Sequence, residues 1–192
     1  NKYQEISFLD DKFSKDKVLK DFLGIKIIGN LNFSAELKKK QIFSDAIVAI
    51  GDATLRLKWI KKLKNLNYQI PSIFHPSAWI SPSSYIAEGS VVLAQSAIQS
   101  NAIIGLGTII NTSSSVDHDS ILNEGVHICP GARLAGDVKV GEKSIIGVGA
   151  SIKEGISIGK NVIVGAGAAV ISNLGDNVIA KGVPAKLKLD PN

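Results

Sequence analysis

The feature that most constrains the fold of this chain is an aliphatic residue that recurs at every sixth position from residue 80 to residue 170. The run has no break: Ile80, Ile86, Val92, Ile98, Ile104, Ile110, Val116, Leu122, Ile128, Leu134, Val140, Ile146, Ile152, Ile158, Val164 and Val170. A period of six does not keep these residues on one face of an α-helix. A short fixed repeat instead predicts a solenoid, whose coils pack on their neighbours.

The positions on either side of each aliphatic anchor are equally regular. Two residues before it the side chain is usually small: Ala78, Ser84, Ser90, Ser96, Ala102, Thr108, Ser114 and Ser120. Three residues after it come turn formers: Gly89, Asn101, Gly107, Asp119, Gly125, Gly131, Gly149, Gly155, Asn161 and Gly167. Because these residue types tolerate positive φ, each hexad predicts a short strand followed by a tight corner. The pattern as a whole predicts a parallel β-helix.

This hexad pattern resembles that of the hexapeptide-repeat acyltransferases. The resemblance implies a left-handed, three-sided β-helix, an exception to the usual right-handed crossover. Three hexads would then form one coil, and successive coils would stack about 4.8 Å apart. We expect residues 74–192 to form this domain, including a C-terminal tail.

Before residue 71 the periodicity changes, and strand patterns alternate with helical ones. The expected elements are an apolar run at Ile6–Leu9, strands at Ile25–Ile28 and Ala46–Ile50, and helices at Val18–Leu23, Leu37–Lys40 and Leu55–Leu66. This alternation predicts a small N-terminal α/β (Rossmann-like) unit over residues 1–73. A nucleotide-binding unit normally opens with a strand and a glycine-rich loop. Neither pattern stands ahead of the first apolar run, so we expect this unit to lack both.

Two polar segments of this unit follow apolar runs. Asp10 and Asp11 end the first run, and Gly51 to Thr54 lead into the helix at Leu55–Leu66. Ligands of α/β units bind at the C-terminal ends of strands, and a helix N-terminus suits a phosphate. The alternative is that Asp10, Asp11 and Asp52 are turn and cap residues.

Among the three histidines, His118 is the candidate for chemistry. It follows an anchor by two residues, so it is expected to point outward at a corner, between Asp117 and Asp119. A histidine with a carboxylate partner suits a general base, although a plain surface histidine fits the same pattern. Gly136 lies 18 residues further and would stack beside His118, whereas His127 would lie half a coil away. The two histidines would therefore share a site only across a subunit interface.

A closer resemblance covers nearly the whole chain. It is to sugar O- and N-acyltransferases of the sialic acid O-acetyltransferase type, including enzymes that acetylate UDP-4-amino-sugars. The matching segments are Phe8-Leu9-Asp10-Asp11, Ala49-Ile50-Gly51, Ile110 to Asp119, His127, Pro130-Gly131-Ala132, Ala135-Gly136, Val140-Gly141 and Gly182 to Lys186.

The resemblance implies a role for each candidate residue. His118 would be the general base, oriented by Asp119, or by Asp117 because Asp119 stands where a glutamate is expected. The other implied residues are Asn111 for the acceptor, His127 and Gly136 for the acetyl thioester, Val148 and Ala166 along the CoA path, and Asp10, Asp11, Gly51 and Thr54 for the nucleotide-sugar. Acetyl-CoA would be the co-substrate, and the protein a homotrimer. UDP-4-amino-sugar N-acetylation is favoured, and O-acetylation of sialic acid or another sugar is the alternative.

Composition narrows the class. The single cysteine, Cys129, fits a reducing cytoplasm, and no apolar run reaches the roughly 18 residues of a membrane span. The net charge of +5 suits a nucleotide and argues little for nucleic acid. A zinc-dependent carbonic anhydrase would need a third prism histidine, so no metal site is expected. We disfavour a Ser-His-Asp hydrolase built from residues 113–119, a nucleophilic Cys129, and a non-enzymatic β-helix, whose outer face would repeat one residue type.

Overall fold

The computed structural model describes residues 5–11 and 21–188. These form two compact units. The first comprises Asn1–Ala46 with Lys62–Gln69, and the second comprises Ile47–Lys61 with Ile70–Asn192. Within the described residues, none of the helices has the length and apolar character needed to cross a membrane.

The first unit is built on a three-stranded sheet. Ile25–Gly29 is its central strand, with Phe8–Leu9 parallel on one side and Asp21–Phe22 antiparallel on the other. A 3₁₀ turn at Leu31–Phe33 and helix α1 at Ser34–Lys39 follow. The strand predicted at Ile25–Ile28 and the short helix predicted around Leu37–Lys40 are confirmed.

Two predicted elements of the N-terminal region are wrong. The helix expected at Val18–Leu23 begins outside the described residues, and its described end is the strand Asp21–Phe22. The segment 46–50 forms no strand, because only Asp45 bridges to Gln69 beside it. Val48 is buried, but its neighbour Ile47 is 49% exposed. The run of five apolar residues predicted a buried strand, but the segment is only partly buried.

The second unit is a three-sided prism of parallel strands. Face 1 contains Ile73–Phe74, Val91–Val92, Ile109–Ile110, His127–Ile128, Ile145–Ile146, Ile163–Val164, Ile179–Lys181 and the antiparallel Lys186–Leu187. Face 2 contains Trp79–Ile80, Ala97–Ile98, Ser115–Val116, Arg133–Leu134, Ser151–Ile152 and Ala169–Val170. Face 3 contains Tyr85–Ile86, Ile103–Ile104, Ile121–Leu122, Lys139–Val140 and Ser157–Ile158.

The aliphatic anchors occupy the interior of this prism. Each ends a two-residue strand, and from Val92 to Val170 all of them are buried. The small residues before them are buried too. Ser90 Oγ donates to the Gly105 carbonyl of the next coil at 3.0 Å, whereas Ser114 Oγ donates to the Asn111 carbonyl of its own corner at 2.6 Å. All ten predicted corner residues have positive φ, between 53° and 70°. The β-helix predicted from the hexads is confirmed.

The corners are named by the faces they join. Corner 1–2 includes residues 111–114, corner 2–3 includes residues 117–120, and corner 3–1 includes residues 123–126. In a triangular prism, corner 2–3 lies opposite face 1. This relation fixes where the candidate residues lie around the axis.

Helix α2, Ala53–Asn65, is the predicted amphipathic helix. Leu57 and Ile60 on it are buried against the glycines of corner 3–1. A Cβ added to Gly107 would lie 2.7 Å from Ile60 Cδ1, and one added to Gly125 would lie 2.9 Å from Leu57 Cδ1. Glycines at this corner therefore serve both the turn and the close approach of the helix.

Candidate active site

His118 projects from corner 2–3 and is exposed to solvent. Its Nδ1 lies 2.8 Å from Asp119 Oδ2. Asp117 turns instead to the backbone, where its Oδ1 accepts the His118 N–H at 2.8 Å. The shorter aspartate at position 119 thus reaches the ring, and Asp117 does not orient it.

The partner at Nδ1 decides what the ring can do. A neutral imidazole that donates from Nδ1 to a carboxylate keeps Nε2 as its acceptor. The hydrogen bond with Asp119 is the largest cause that raises the pKa of His118 above its usual value, and the nearby charges of Asp117, Asp119 and Asp137 add to it. The neutral His118 ring therefore has its accepting nitrogen turned away from the carboxylate.

Gly136 lies against this accepting edge of the ring. A Cβ built on Gly136 would be 2.5 Å from His118 Cε1 and 2.6 Å from Nε2. The stacking predicted from the 18-residue spacing is therefore present in the structure. Among the described residues, no backbone acceptor takes the Gly136 N–H. The Gly136 backbone therefore lies close to the His118 ring.

His127 belongs to a second group of polar residues. It starts the strand His127–Ile128 on face 1, and its Nε2 lies 3.1 Å from Asn111 Nδ2. Because Asn111 Oδ1 accepts the Thr112 N–H at 2.8 Å, the amide turns its nitrogen to the ring. His127 Nε2 is then an acceptor, and Nδ1 carries the proton.

Burial lowers the pKa of His127, and the charge of Arg56 lowers it further. The ring is thus held neutral, with Nδ1–H as a donor. Since corner 2–3 lies opposite face 1, His118 and His127 do not meet within one chain. Asn111, predicted to help place the acceptor group, contacts His127.

The residues predicted for the CoA path continue the corner that begins with Asn111. Val148 and Ala166 lie at corner 1–2, one and two coils beyond the corner of Pro130, and both are exposed. The preceding glycines are tightly packed, and a Cβ on Gly147 would meet the Val164 carbonyl oxygen. Val148 and Ala166 therefore form an exposed column of small side chains along corner 1–2 of the prism.

The predicted nucleotide-sugar residues are divided between the two units. Asp10 and Asp11 are exposed in the first unit, where Asp11 Oδ1 accepts the Leu31 N–H at 3.0 Å. Gly51 and Thr54 are exposed in the second unit at the start of α2. Asp11 therefore also acts as a turn residue.

Asp52 is a cap residue, as the alternative interpretation held. Its Oδ1 accepts the Leu55 N–H at 2.7 Å, in the first turn of α2. A carboxylate at this helix start opposes a second anion there. A ligand could therefore contact the exposed surface of Gly51 and Thr54, but not the capped helix terminus.

Arg56 is a residue that the sequence interpretation missed. Its side chain is buried, yet it has four hydrogen bonds, all donated to backbone carbonyls. Nε donates to Gly107 at 2.8 Å and Nη2 to Gly125 at 2.9 Å, while Nη1 donates to Ile50 and Gly51 at 2.8 and 2.7 Å. Arg56 thereby ties the Gly51 loop to the prism. The only signal in the sequence is one arginine among the lysines of α2.

Other chemistries find little support at these residues. Ser113 donates to Gln95 and Ser114 to the Asn111 carbonyl, so neither hydroxyl is turned to His118. Burial raises the pKa of the half-buried Cys129 thiol, which disfavours the thiolate. In the part of the chain that the structure describes, no three histidine, cysteine or acidic residues are grouped to hold a metal ion.

The chain is similar in sequence and in structure to known acetyltransferases. The family model described as the PglD N-terminal domain matches residues 1–63. The acetyltransferase domain of PglB from Neisseria gonorrhoeae FA1090, solved with acetyl coenzyme A, has a TM-score of 0.90 and 35% identity, covering 97% of this chain and 87% of that one. The chain belongs to the hexapeptide-repeat sugar acetyltransferases.

Two further structures of this family are similar over most of their length. Perosamine N-acetyltransferase from Caulobacter crescentus, a histidine-to-asparagine variant with CoA and GDP-perosamine, has a TM-score of 0.85 and 42% identity, covering 88% of this chain and 80% of that one. WeeI from Acinetobacter baumannii AYE has a TM-score of 0.74 and 26% identity, covering 95% and 85%. The family, the fold class and the acyltransferase activity predicted from the sequence are confirmed.

Proposed function

We propose that this acetyltransferase transfers the acetyl group of acetyl-CoA to the amino group of a nucleotide-linked amino sugar, with His118 as general base. The observation that carries the proposal is the His118 ring itself. Asp119 holds its Nδ1 at 2.8 Å, and Gly136 leaves its Nε2 edge open. A general base needs such a free, oriented acceptor.

Transfer is direct in this mechanism. The sugar nitrogen attacks the thioester carbonyl carbon, a C–N bond forms, and His118 Nε2 takes the proton from that nitrogen. The Gly136 N–H and the Nδ1–H of His127 suit the oxygen that becomes negative. The C–S bond then breaks, CoA leaves as the thiolate, and a proton neutralises it. No residue of the chain is acylated.

The choice of an amino group rests on the relatives. The structure with 42% identity is named as an N-acetyltransferase and holds CoA and GDP-perosamine, and the PglB domain holds acetyl coenzyme A. At the donor end, Val148 and Ala166 offer an exposed column for the pantetheine arm. Asp10, Asp11, Gly51 and Thr54 remain the residues proposed for the nucleotide-sugar, and Asn111 would help to orient the acceptor or His127.

We also propose a homotrimer with its sites between subunits. His118 at corner 2–3 and His127 on face 1 meet only if two chains come together. Face 3, next to corner 2–3, carries an apolar strip of Tyr85, Ile103 and Ile121 in register, with Tyr85 63% and Ile103 45% exposed. Burying such a strip against a second copy stabilises an oligomer.

An acceptor panel tests the reaction. UDP- and GDP-linked 4-amino sugars, the matching 4-hydroxy sugars, and sialic acid are each incubated with acetyl-CoA, and CoA release is measured. We expect turnover with an amino sugar, intersecting initial-velocity lines, and an unchanged protein mass after incubation with acetyl-CoA alone. Turnover only with hydroxyl acceptors would establish O-acetylation instead, and a protein mass raised by one acetyl group would refute direct transfer.

Mixing two impaired variants tests the shared site. Trimers reassembled from equal amounts of His118→Asn and His127→Asn chains would have both histidines intact in about a quarter of their interfaces. We expect turnover to recover toward that fraction after joint refolding. No recovery in reassembled trimers, shown to be mixed by native mass spectrometry, would refute a site that takes one histidine from each of two chains.

A further inference from the structure

Corner 2–3 carries a column of polar residues in left-handed conformation beside His118. Asn101, Asp119 and Asp137 are spaced by 18 residues, with φ of 58°, 58° and 52°. Asn101 Nδ2 donates to Asp119 Oδ1 at 3.1 Å. The Asn101 backbone is itself fixed to the preceding coil, where its N–H donates to Ser83 Oγ at 3.1 Å.

The two oxygens of Asp119 are therefore divided between two partners. Oδ1 accepts from Asn101, and Oδ2 faces His118 Nδ1 at 2.8 Å. The side chains of His118 and Asp119 are 60% and 53% exposed. An exposed ion pair without further contacts contributes little stabilising free energy, because both side chains lose rotamer freedom to form it. A second anchor removes part of that cost for Asp119.

We infer that Asn101 is a positioning residue, which holds the Asp119 carboxylate so that it keeps the His118 ring in the tautomer and orientation of a base. The inference rests on the proposed role of His118. Nothing in the hexad pattern singles out Asn101, because asparagine is an ordinary corner residue with positive φ. Its importance comes from the residue one coil above it.

The other charged groups near His118 do not replace this arrangement. Asp117 is engaged by the backbone N–H of His118, and Asp137 lies 3.8 Å from Lys139 Nζ. Hydrogen bonds from His118 and then from Asn101 lower the pKa of Asp119, which keeps the carboxylate charged. Asp119 is thus the carboxylate that orients the ring, and Asn101 is the side-chain donor seen on its far oxygen.

The test is Asn101→Gly, which keeps the positive φ and removes the amide. We expect kcat to fall roughly 3- to 10-fold, as for the loss of one hydrogen bond of ordinary strength, with an unchanged KM for acetyl-CoA. The acid limb of the pH profile should move to lower pH, because His118 loses the support that raises its pKa. Asn101→Asp, which sets a carboxylate against Asp119, should lower kcat at least as much.

Asn161→Gly is the matched control. Asn161 also has positive φ, at 53°, and its Nδ2 donates to Asn177 Oδ1 at 2.9 Å, but it lies at corner 3–1 without a histidine. Loss of the same kind of amide bond there should leave the pH profile unchanged. Thermal melting of both variants checks that each remains folded, and a pH profile altered equally in both would overturn the inference.

The NMR titration of His118 separates the two levels of the proposal. We expect Asn101→Gly to shift the His118 pKa toward its ordinary value and to lower turnover. A shifted titration with wild-type turnover would refute His118 as the base while leaving the contact intact. An unshifted titration with an unchanged pH profile would overturn the positioning role of Asn101.

Discussion

His118 and His127 lie on the same prism, yet their surroundings are opposite. His118 is exposed at corner 2–3, and its carboxylate partner raises its pKa and leaves Nε2 as an acceptor. His127 is half-buried on face 1, and desolvation and Arg56 lower its pKa, while Asn111 leaves Nδ1–H as a donor. Partner and burial, rather than residue type, therefore decide which nitrogen of each ring can accept a proton and which can donate one.

The largest expected effect comes from removing each ring in turn. His118→Asn should lower kcat by about 10²- to 10⁴-fold, the range for a lost general base, and abolish the acid limb of the pH profile. His127→Asn should cost about 10²-fold, the low end of the range for one lost donor, because the Gly136 N–H remains, and it should keep the acid limb. Steady-state kinetics over pH check both, and equal losses with identical profiles would remove the distinction.

Gly136→Ala should disturb His118 alone. The new Cβ would lie 2.5 Å from the ring, so the imidazole must swing away from its position. Because a misplacement of about 1 Å costs up to roughly 10²-fold in rate, we expect kcat to fall by about that factor with little change in melting temperature. Gly175→Ala is the control, since nothing lies within 4 Å of its Cβ position. Wild-type turnover of Gly136→Ala would contradict the arrangement.

Arg56→Met should change both the pKa of His127 and the stability of the fold. Buried carbonyls at Gly107 and Gly125 would lose their donor, so the free energy of unfolding should fall by about 2–4 kcal/mol. The pKa of His127 should rise, because the positive charge of Arg56 lowers it. Denaturant unfolding and NMR titration measure the two effects. Lys58→Met, exposed on the same helix, should change neither, and an equal loss of stability there would show a general effect of the helix surface.

The smallest expected effect is the difference between the pKa values of His118 and His127 in the intact protein. His118 should titrate above the usual histidine value of about 6.5, and His127 below it. Asp119→Asn should return His118 toward the usual value and leave His127 in place. NMR with a His75→Gln variant for assignment resolves the rings. Titration of His127 above His118 would reverse the comparison.

Much of this arrangement follows from the hexad repeat. Counting 18 residues from His118 reaches Gly136, and counting nine reaches His127 on the far side of the prism. Asn101 and Asp119 are also 18 residues apart, but the repeat does not say that their side chains bond. The segment 46–50 was predicted as a strand and is not one, because outside the repeat a short apolar run cannot distinguish a paired strand from an extended segment with one buried residue.

The sequence by itself determined the β-helix and its corners, because each hexad repeats the same local chemistry, and its motifs carried the resemblance to the family. The tertiary structure decided which oxygen of Asp119 faces His118, that Asn111 pairs with His127, and that Arg56 ties the Gly51 loop to two successive coils at corner 3–1. These contacts join residues up to 69 positions apart through side-chain geometry. Periodicity fixes where the backbone lies, but the direction of a side chain depends on what surrounds it.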